Sequence, residues 1–297
     1  MIIKVENLVK SYNDLEAVKG ISFSVNKGDF FAFLGPNGAG KSTTINIICT
    51  LLSKNSGTVI IDGLEVGVDD NEIRKRIGVV FQNNILDNKL SVRQNLDIRG
   101  SFYGLKQTEL NERIENIVSL LSIDGFVDQK YGTLSGGQRR KADIARALIN
   151  QPKVLILDEP TTGLDPKTRK DVWDIISNLR KQDMTIFLTT HYMEEAANAT
   201  KIIVIDNGVI LAEGTPEELR NEYSYDRLRL FFKNKDIFDC LGDYEYEVLN
   251  DVIEIKVPSI RALEIINKVV DKIEAFEVVR GNMDDVFLNI TGSDLVS

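Results

Sequence analysis

The chain has 297 residues, of which 43% are hydrophobic, and it carries a formal net charge of −9. This length and composition predict two globular domains, a large one and a small one. The acidic balance argues against a general nucleic-acid surface, because neutralising phosphates requires unscreened clusters of lysine and arginine. With no apolar run near the roughly 20 residues of a membrane span and no signal-peptide pattern, we expect a cytosolic protein.

Up to about residue 82, the chain alternates short strand patterns with turn signals. A single helix, from Lys41 to about Leu52, is predicted to interrupt the strands. The first strand mixes charged with apolar residues, which favours an edge position in its sheet. The predicted strands are Ile2–Val5, Ile21–Val25, Phe30–Leu34, Thr58–Ile61 and Gly78–Phe81.

A glycine-rich segment between the third strand and that helix matches the pattern G-x-x-x-x-G-K-[ST]. Its glycines let backbone N–H groups close around phosphate oxygens, and the helix N-terminus adds a positive dipole. Lys41 is predicted to reach the β- and γ-phosphates of a nucleotide, and the Ser42 hydroxyl to bind Mg²⁺. The alternative, a chance glycine turn, is disfavoured by the flanking strand and helix. The predicted phosphate-binding residues are Gly35, Pro36, Asn37, Gly38, Ala39, Gly40, Lys41, Ser42 and Thr43.

From Ser91 to about Asn150 the apolar residues recur at helical spacing, which predicts a helical insert. One of its helices begins at a second glycine segment with capping-box spacing. This segment could receive an anion on its exposed N–H groups, although taken alone it is better explained as a capped helix. Two phosphate-facing segments in one chain suggest a dimer. The predicted anion-site residues are Ser135, Gly136, Gly137 and Gln138.

Beyond the insert, strands and helices alternate as in βαβ units, which predicts an α/β core with a parallel sheet. The strand Val154–Leu157 contains no polar residue, which suits burial on both faces. Asp158 and Glu159 follow it. Asp158 is predicted to hold Mg²⁺ through water, and Glu159 to polarise a water that attacks the γ-phosphate. A helix that starts with Asp-Glu-Pro is the alternative, disfavoured because the other half of a nucleotide site is present.

The pattern of predicted strands and helices changes at about residue 221. Residues 221–297 are predicted to form a small, separate α+β domain with four strands. Its main helix is predicted from Ser259 to Asp271. Apolar residues recur there at helical spacing and are expected in the core of this domain. They are Ile260, Leu263, Ile266, Val269 and Ile273.

Five segments, in this order, closely resemble the ATP-binding cassette of ABC transporters over about residues 1–220. They are Gly35–Thr43, Leu134–Gln138, Leu157–Pro160, Gly163–Pro166 and His191. The resemblance implies an α/β fold, with a P-loop NTPase-type core, an antiparallel β subdomain and a helical subdomain at about 91–150. It also implies an enzyme that hydrolyses ATP and uses Mg²⁺. The small α+β domain would follow the cassette.

The resemblance further implies roles for residues whose types alone say little. Tyr12 would stack on adenine, and Gln82 would sense Mg²⁺ and the attacking water. His191, the only histidine in the chain, would contact the γ-phosphate, and Asp165 would join the two sites of a dimer. Without the resemblance, Tyr12 and His191 would be taken as surface or structural residues.

In this family the segment Ser135–Gln138 completes the site formed by the other subunit's Gly35–Ser42 segment. Two ATP molecules would thus be enclosed between two cassettes, as a homodimer or pseudo-dimer. A separate transmembrane permease subunit would dock on Asn83–Leu105, with the chain peripheral on the inner face of the cell membrane. Family members often carry a carboxylate after Gln82, whereas Asn83 follows here, which leaves the local coupling contacts open.

Two parts of the chain resemble ATPases of the branch that exports drugs and antibiotics. One is the segment Met283–Leu288 near the end of the small domain, and the other is Ser91–Leu96 together with Phe102–Leu105. Export is therefore favoured over import. The alternatives are an importer ATPase and an ABC ATPase without a transport role. A GTPase is also conceivable, since Asn26–Asp29 fits the guanine-reading pattern N-K-x-D, but this segment precedes the phosphate loop and is ordinary turn chemistry.

Overall fold

The structure is a computed structural model that describes residues 1–232, 235–242, 244–257 and 259–292. It forms two compact units, Met1–Glu213 and Gly214–Ser297. The division lies before the boundary of 220 expected from the sequence. The reason is that the helix at Pro216–Tyr223 belongs to the second unit, where the Asn289 side chain donates a hydrogen bond of 2.7 Å to the Tyr223 carbonyl.

The first unit contains ten strands and seven helices within the described residues. The strands are β1 (Ile3–Tyr12), β2 (Leu15–Val25), β3 (Phe30–Leu34), β4 (Ser56–Ile61), β5 (Leu64–Glu65), β6 (Ile77–Val80), β7 (Val154–Asp158), β8 (Thr185–Thr190), β9 (Lys201–Asp206) and β10 (Val209–Gly214). The helices are α1 (Lys41–Ile48), α2 (Asp70–Arg76), α3 (Val92–Ser101), α4 (Gln107–Leu121), α5 (Gly136–Leu148), α6 (Pro166–Arg180) and α7 (Met193–Ala196).

The larger sheet has the order β10-β9-β3-β8-β7-β6. Strands β9, β3, β8, β7 and β6 pair in parallel, as the βαβ pattern predicts. Every residue of β3 and β8 is buried, which suits strands covered on both faces. Four phenylalanine rings, those of Phe23, Phe31, Phe33 and Phe187, pack together in the core between this sheet and its neighbour.

The second sheet is antiparallel and has the order β2-β1-β4-β5. Strand β1 pairs with β2 on one side and β4 on the other, so the prediction of an edge position was wrong. Its charged residues point to the solvent face, while Ile3, Val5 and Leu8 are buried. Helix α1 ends at Ile48, earlier than predicted, since Thr50 turns to φ 59°. Helix α2 was not predicted.

Helices α3, α4 and α5 form the helical insert expected at about 91–150. The Ser91 side chain closes the predicted capping box with Gln94 at the start of α3. Helix α4 buries the apolar face that the period predicts, made of Leu110, Ile114, Ile117, Val118 and Leu121. No helix of the described residues is long and apolar enough to cross a membrane.

The second unit is α+β, as predicted. Its elements are α8 (Pro216–Tyr223), β11 (Arg227–Phe232), α9 (Phe238–Leu241), β12 (Tyr246–Leu249), β13 (Val252–Lys256), α10 (Ser259–Val269), β14 (Ile273–Val279) and α11 (Met283–Thr291). The strands form an antiparallel sheet in the order β12-β13-β11-β14. Of the expected core residues of α10, Ile266 and Val269 are buried, whereas Leu263 is 62% exposed because the buried face runs through Ala262 and Ile265. The Ile260 side chain lies outside the described residues.

Candidate functional site

The carboxyl ends of the parallel strands meet at one edge of the larger sheet. Leu34, the last residue of β3, pairs with Thr190 of β8, and Asp158 of β7 pairs with Thr189. Strand β6 lies beside β7. Because ligands of open parallel sheets bind beyond these ends, the loops that follow β3, β6, β7 and β8 can build one site.

The loop between β3 and α1 has a conformation and surroundings that require glycine. Gly38 and Gly40 adopt φ 84° and 105°, which side chains rarely adopt. A Cβ on Gly35 would come within 2.2 Å of the Ile205 carbonyl oxygen, and one on Gly40 within 2.6 Å of a backbone oxygen. The loop therefore presents backbone N–H groups without side chains in front of them, which fits a phosphate cradle.

Lys41 is buried, with 5% of its surface exposed, and it folds back onto this loop. Its Nζ donates hydrogen bonds to the carbonyl oxygens of Gly35 at 2.7 Å and Pro36 at 3.0 Å. Burial lowers the pKa of Lys41, while the nearby carboxylates of Glu159 and Asp158 act in the opposite direction. The residues present thus fit a triphosphate, since a buried ammonium group needs anionic oxygens close to it.

Asp158 ends β7 with its carboxylate held by the next strand. The Thr189 hydroxyl donates a hydrogen bond of 2.6 Å to Asp158 Oδ1. Burial raises the pKa of Asp158, and the hydrogen bond from Thr189 opposes that effect. The carboxylate is thereby kept in one orientation at the edge of the sheet, as a ligand for a hard cation must be.

Glu159 occupies a backbone conformation that is unusual for glutamate, with φ 45°. Its N–H group donates to the Thr189 carbonyl oxygen at 3.0 Å, so β8 helps to hold this conformation. Strained backbone of this kind persists only where the surroundings enforce it, and it clusters at active sites. In this conformation the Glu159 side chain contacts the loops that carry Gln82 and Thr162.

The carboxylate of Glu159 is the centre of the polar contacts at this edge. The amide nitrogen of Gln82 donates to Oε2 at 3.2 Å. The Thr162 hydroxyl donates to the same oxygen, also at 3.2 Å. Oε1 lies 3.4 Å from His191 Nδ1 and 3.9 Å from Lys41 Nζ. The structure therefore brings three of the sequence-predicted residues together around the carboxylate of a fourth, Glu159.

His191 Nδ1 is buried and makes no hydrogen bond, although it lies 3.4 Å from Glu159 Oε1. The imidazole packs on the ring of Tyr192, with the ring centres 4.1 Å apart. An unsatisfied buried nitrogen is costly unless a further group completes its contacts. A polar group of a ligand beside this nitrogen would complete its contacts.

Helix α5 is joined to the segment that carries Gln82. Arg140 is 5% exposed, and its guanidinium donates to the carbonyl oxygens of Phe81 at 2.7 Å and Gln82 at 3.3 Å. Asp143, on the same helix, accepts a hydrogen bond of 3.0 Å from the Tyr131 hydroxyl. Burial raises the pKa of Asp143 to about 6. The segment that carries Gln82 is thus hydrogen-bonded to the helix that begins at Ser135.

The second glycine segment satisfies its own hydrogen bonds. The Ser135 hydroxyl accepts from the Gln138 N–H at 3.3 Å, and Gln138 Oε1 accepts from the Ser135 N–H at 3.0 Å. A Cβ on Gly137 would lie 2.5 Å from the Thr168 methyl group, so this glycine lets α5 approach α6. Within the described residues, no hydrogen bond links Ser135–Gln138 to Gly35–Thr43 of the same chain.

The remaining predicted residues lie at loop and helix ends. Asp165 caps α6, accepting from the N–H groups of Lys167 and Thr168 at 3.1 Å. The hydrogen bonds from Thr168 hold the pKa of Asp165 below its usual range. Tyr12 ends β1 with 44% of its surface exposed, so one ring face is open to a base.

Sequence reasoning missed three residues that contact the site. Thr189 and Thr162 orient the two carboxylates, and Glu195 is a buried carboxylate beside the loops. A signal for Thr189 was available, because it lies at the carboxyl end of a buried strand, where parallel sheets bind their ligands. Nothing in the local pattern distinguishes Glu195 from its exposed neighbour Glu194.

Comparisons with known proteins agree with this geometry. The family model described as ABC transporter matches residues 18–162. The daunorubicin/doxorubicin resistance ATP-binding protein DrrA of Streptomyces peucetius is 36% identical over 304 residues, which cover 98% of this chain and 92% of that protein. The Nod factor export ATP-binding protein I of Ralstonia nicotianae is 41% identical over 219 residues, covering 73% of this chain and 68% of that protein.

Solved structures of cassettes have the same fold. The ATP-binding cassette MJ0796, in a dimeric post-hydrolysis state bound to ADP and Pi, superimposes with a TM-score of 0.66 at 30% identity, covering 72% of this chain and 98% of that one. The structure of cbiO1 from Clostridium perfringens gives a TM-score of 0.69 at 32% identity, covering 74% and 91%. The fold, the strained glutamate and these relatives agree: the chain belongs to the ABC transporter family and is an ATP-hydrolysing member of it.

Proposed function

We propose that this chain is the ATPase subunit of an ABC exporter, and that two copies enclose two ATP molecules with Mg²⁺. Hydrolysis then separates the copies and moves a substrate through a separate transmembrane subunit. The observation that carries the proposal is the cluster around Glu159, where one carboxylate lies within 4 Å of Gln82, Lys41 and His191. Such a cluster can bind a triphosphate and activate water beside it.

The roles of the side chains follow from their contacts. Lys41 exchanges the carbonyl oxygens of its own loop for the β- and γ-phosphate oxygens, which are better partners for a buried cation. Glu159 orients the attacking water and accepts its proton. The imidazole of His191 donates to the γ-phosphate, so that charge developing there meets a fixed donor.

Ser42, Gln82 and Asp158 would hold Mg²⁺, which neutralises phosphate charge when bound. Within the described residues, no group of three or more His, Cys, Asp or Glu could hold a metal alone. That composition fits Mg²⁺, which protein sites usually bind through one or two carboxylates together with substrate phosphates. The hydrogen bond from Thr189 prepares Asp158 for this contact.

Dimerisation is supported by the separate glycine segment. Ser135–Gln138 starts a helix, whose N–H groups and dipole favour an anion. We assign that anion to the γ-phosphate of ATP bound to the other copy. We also propose that Asp165 lies in the loop that joins the two sites. The dimeric cassette similar to this chain supports the assignment.

A groove beside Gln82 supports docking of a membrane subunit. It has a volume of about 530 Å³ and is lined by residues that include Val79 and Phe81, just before Gln82. Three apolar side chains that line it are at least half exposed, namely Leu51, Ile85 and Phe102. A groove that combines exposed apolar side chains with basic ones fits a short amphipathic helix. A partner bound here would sit against the residue that contacts Glu159.

Export is favoured over import by two observations. The relatives at 36% and 41% identity carry names of drug resistance and of Nod factor export. The second unit is α+β, unlike the all-β extensions of sugar-importer ATPases. We therefore place the chain in the cytoplasm, on the inner face of the cell membrane.

Co-purification tests the proposed partner. Phe102→Asp places a charge in the groove, and we expect it to release the membrane subunit while ATP hydrolysis by the purified chain is retained. Val68→Asp is the matched control, since Val68 is 75% exposed and does not line the groove. Unchanged co-purification of Phe102→Asp would contradict docking at this site.

A further inference from the structure

Glu195 of α7 carries a buried carboxylate that has no role in the nucleotide site described above. It is 4% exposed, and among the described residues no cationic side chain lies within ion-pair distance of it. Its Oε1 accepts from the Thr161 hydroxyl and, at 3.3 Å, from the Trp173 indole N–H. Its Oε2 accepts from the Thr190 hydroxyl at 2.5 Å. Burying a carboxylate is costly, so these donors must be held in place.

The Thr161 contact leads to the catalytic glutamate. Thr161 lies two residues after Glu159, and the next residue, Thr162, donates to Glu159 Oε2 at 3.2 Å. The Thr162 N–H also donates to the Glu159 carbonyl oxygen at 3.4 Å. Fixing Thr161 therefore fixes the turn on which the Glu159 carboxylate is oriented.

The Thr190 contact leads to the histidine. Thr190 directly precedes His191, and its Oγ1 also accepts from the Tyr192 N–H at 2.9 Å. The backbone on both sides of His191 is thus held by one hydroxyl group, which Glu195 in turn holds.

We propose that Glu195 is a positioning residue for ATP hydrolysis, whose single buried carboxylate keeps the segments carrying Glu159 and His191 at a fixed separation. The inference rests on the proposed roles of those two residues. No contact of Glu195 reaches Gly35–Thr43, so it sets the geometry of hydrolysis without setting the affinity for ATP.

A carboxylate is better suited to this task than an amide. Two carboxylate oxygens accept from all three donors, and hydrogen bonds to a charged acceptor are shorter and stronger than neutral ones. Glutamine has the same shape, but one threonine hydroxyl would have to turn from donor to acceptor to pair with its NH₂ group, and the hydrogen bonds would lose the charged acceptor. Glu195→Gln therefore loosens one of the two segments without leaving a cavity.

The test measures kcat and KM for ATP with the full chain carrying Glu195→Gln. We expect kcat to fall about tenfold or more, since displacements near 1 Å at a reacting centre have such effects, while KM stays within about twofold. Trp173→Phe is the matched control. It removes a hydrogen bond from the same carboxylate without touching either segment, and its kcat should stay within about twofold of the unchanged chain.

Thr161→Val and Thr161→Ser form a second pair, which serves if Glu195→Gln does not fold. Thr161→Val should lower kcat, and Thr161→Ser, which keeps the hydroxyl, should restore it. The proposal is overturned if Glu195→Gln or Thr161→Val keeps full kcat, or if Trp173→Phe loses as much as they do. Glu159→Gln distinguishes failure of the positioning role from failure of the proposed catalytic site, because an active Glu159→Gln variant would refute the site itself.

Discussion

The two glycine segments of this chain differ in what they leave unsatisfied. Around Gly35–Thr43, a buried lysine turns back to its own loop and an imidazole nitrogen has no hydrogen bond. At Ser135–Gln138, a capping box already pairs the hydroxyl and the amide side chain. The first region is therefore built for a ligand that supplies many contacts, and the second adds only N–H groups and a dipole. The contrast teaches that binding and completing a nucleotide site can be assigned to different parts of one chain.

The largest expected effect on the first region comes from Glu159→Gln. Turnover should fall by about a hundredfold or more, because the base that accepts the proton is lost. ATP binding should remain, since Lys41 and the glycine loop are unchanged, and a dimer should accumulate with ATP and Mg²⁺ on size exclusion. Glu194→Gln is the control, as this exposed glutamate lies in the same part of the chain. Normal turnover in Glu159→Gln would refute the assigned base.

Ser135→Arg tests the second region. We expect nucleotide binding by the isolated variant to be normal and turnover to fall by about tenfold or more, because a large side chain covers the N–H groups that stabilise transition-state charge. Lys141→Ala, on the same helix, is the control. If Ser135→Arg abolished ATP binding instead, Ser135 would belong to the site of its own chain.

Tyr12→Ala should weaken ATP binding by about tenfold, the value of one aromatic stacking contact with a base. Tyr12→Phe keeps the ring and should bind like the unchanged chain. Fluorescence titration with ATP and GTP measures both variants. A strong preference for GTP would contradict the adenine role of this tyrosine.

The smallest effect on turnover is expected from Asp143→Asn, which tests the helix that carries Ser135. The pKa of Asp143 is about 6 in the folded chain, above its ordinary value of 3.8. The folded chain thus keeps a proton that the unfolded chain releases, so this group makes stability fall as pH rises between about 4 and 6, and level off above. The loss is about 2 to 3 kcal/mol for a shift of this size.

Denaturant unfolding at several pH values measures this effect as a difference between Asp143→Asn and the unchanged chain. The variant should lack the fall between pH 4 and 6. Parallel stability curves for the two proteins would show that Asp143 does not titrate in that range.

Sequence alone predicted the parallel core, the helical insert and the small α+β domain, because apolar periods and capping signals are local. The residues around Glu159 were predicted too, Lys41 from the phosphate-loop pattern, and Gln82 and His191 from the resemblance to the ABC cassette. It did not predict that β1 is a central strand, that Arg140 is buried against the Gln82 segment, or that Glu195 is buried at all. Those facts depend on which elements pack together, and residue types at neighbouring positions do not encode them.

The shared site is the central claim, and mixing two inactive variants tests it most directly. Ser135→Arg and Glu159→Gln each disable both sites of their own homodimer. In a mixed dimer, one site combines an intact Glu159 from one copy with an intact Ser135 from the other. An equimolar mixture should therefore recover about a quarter of full ATPase activity, since half of the dimers are mixed and half of their sites are intact. No recovery, with mixed dimers shown to form, would contradict a site divided between two chains.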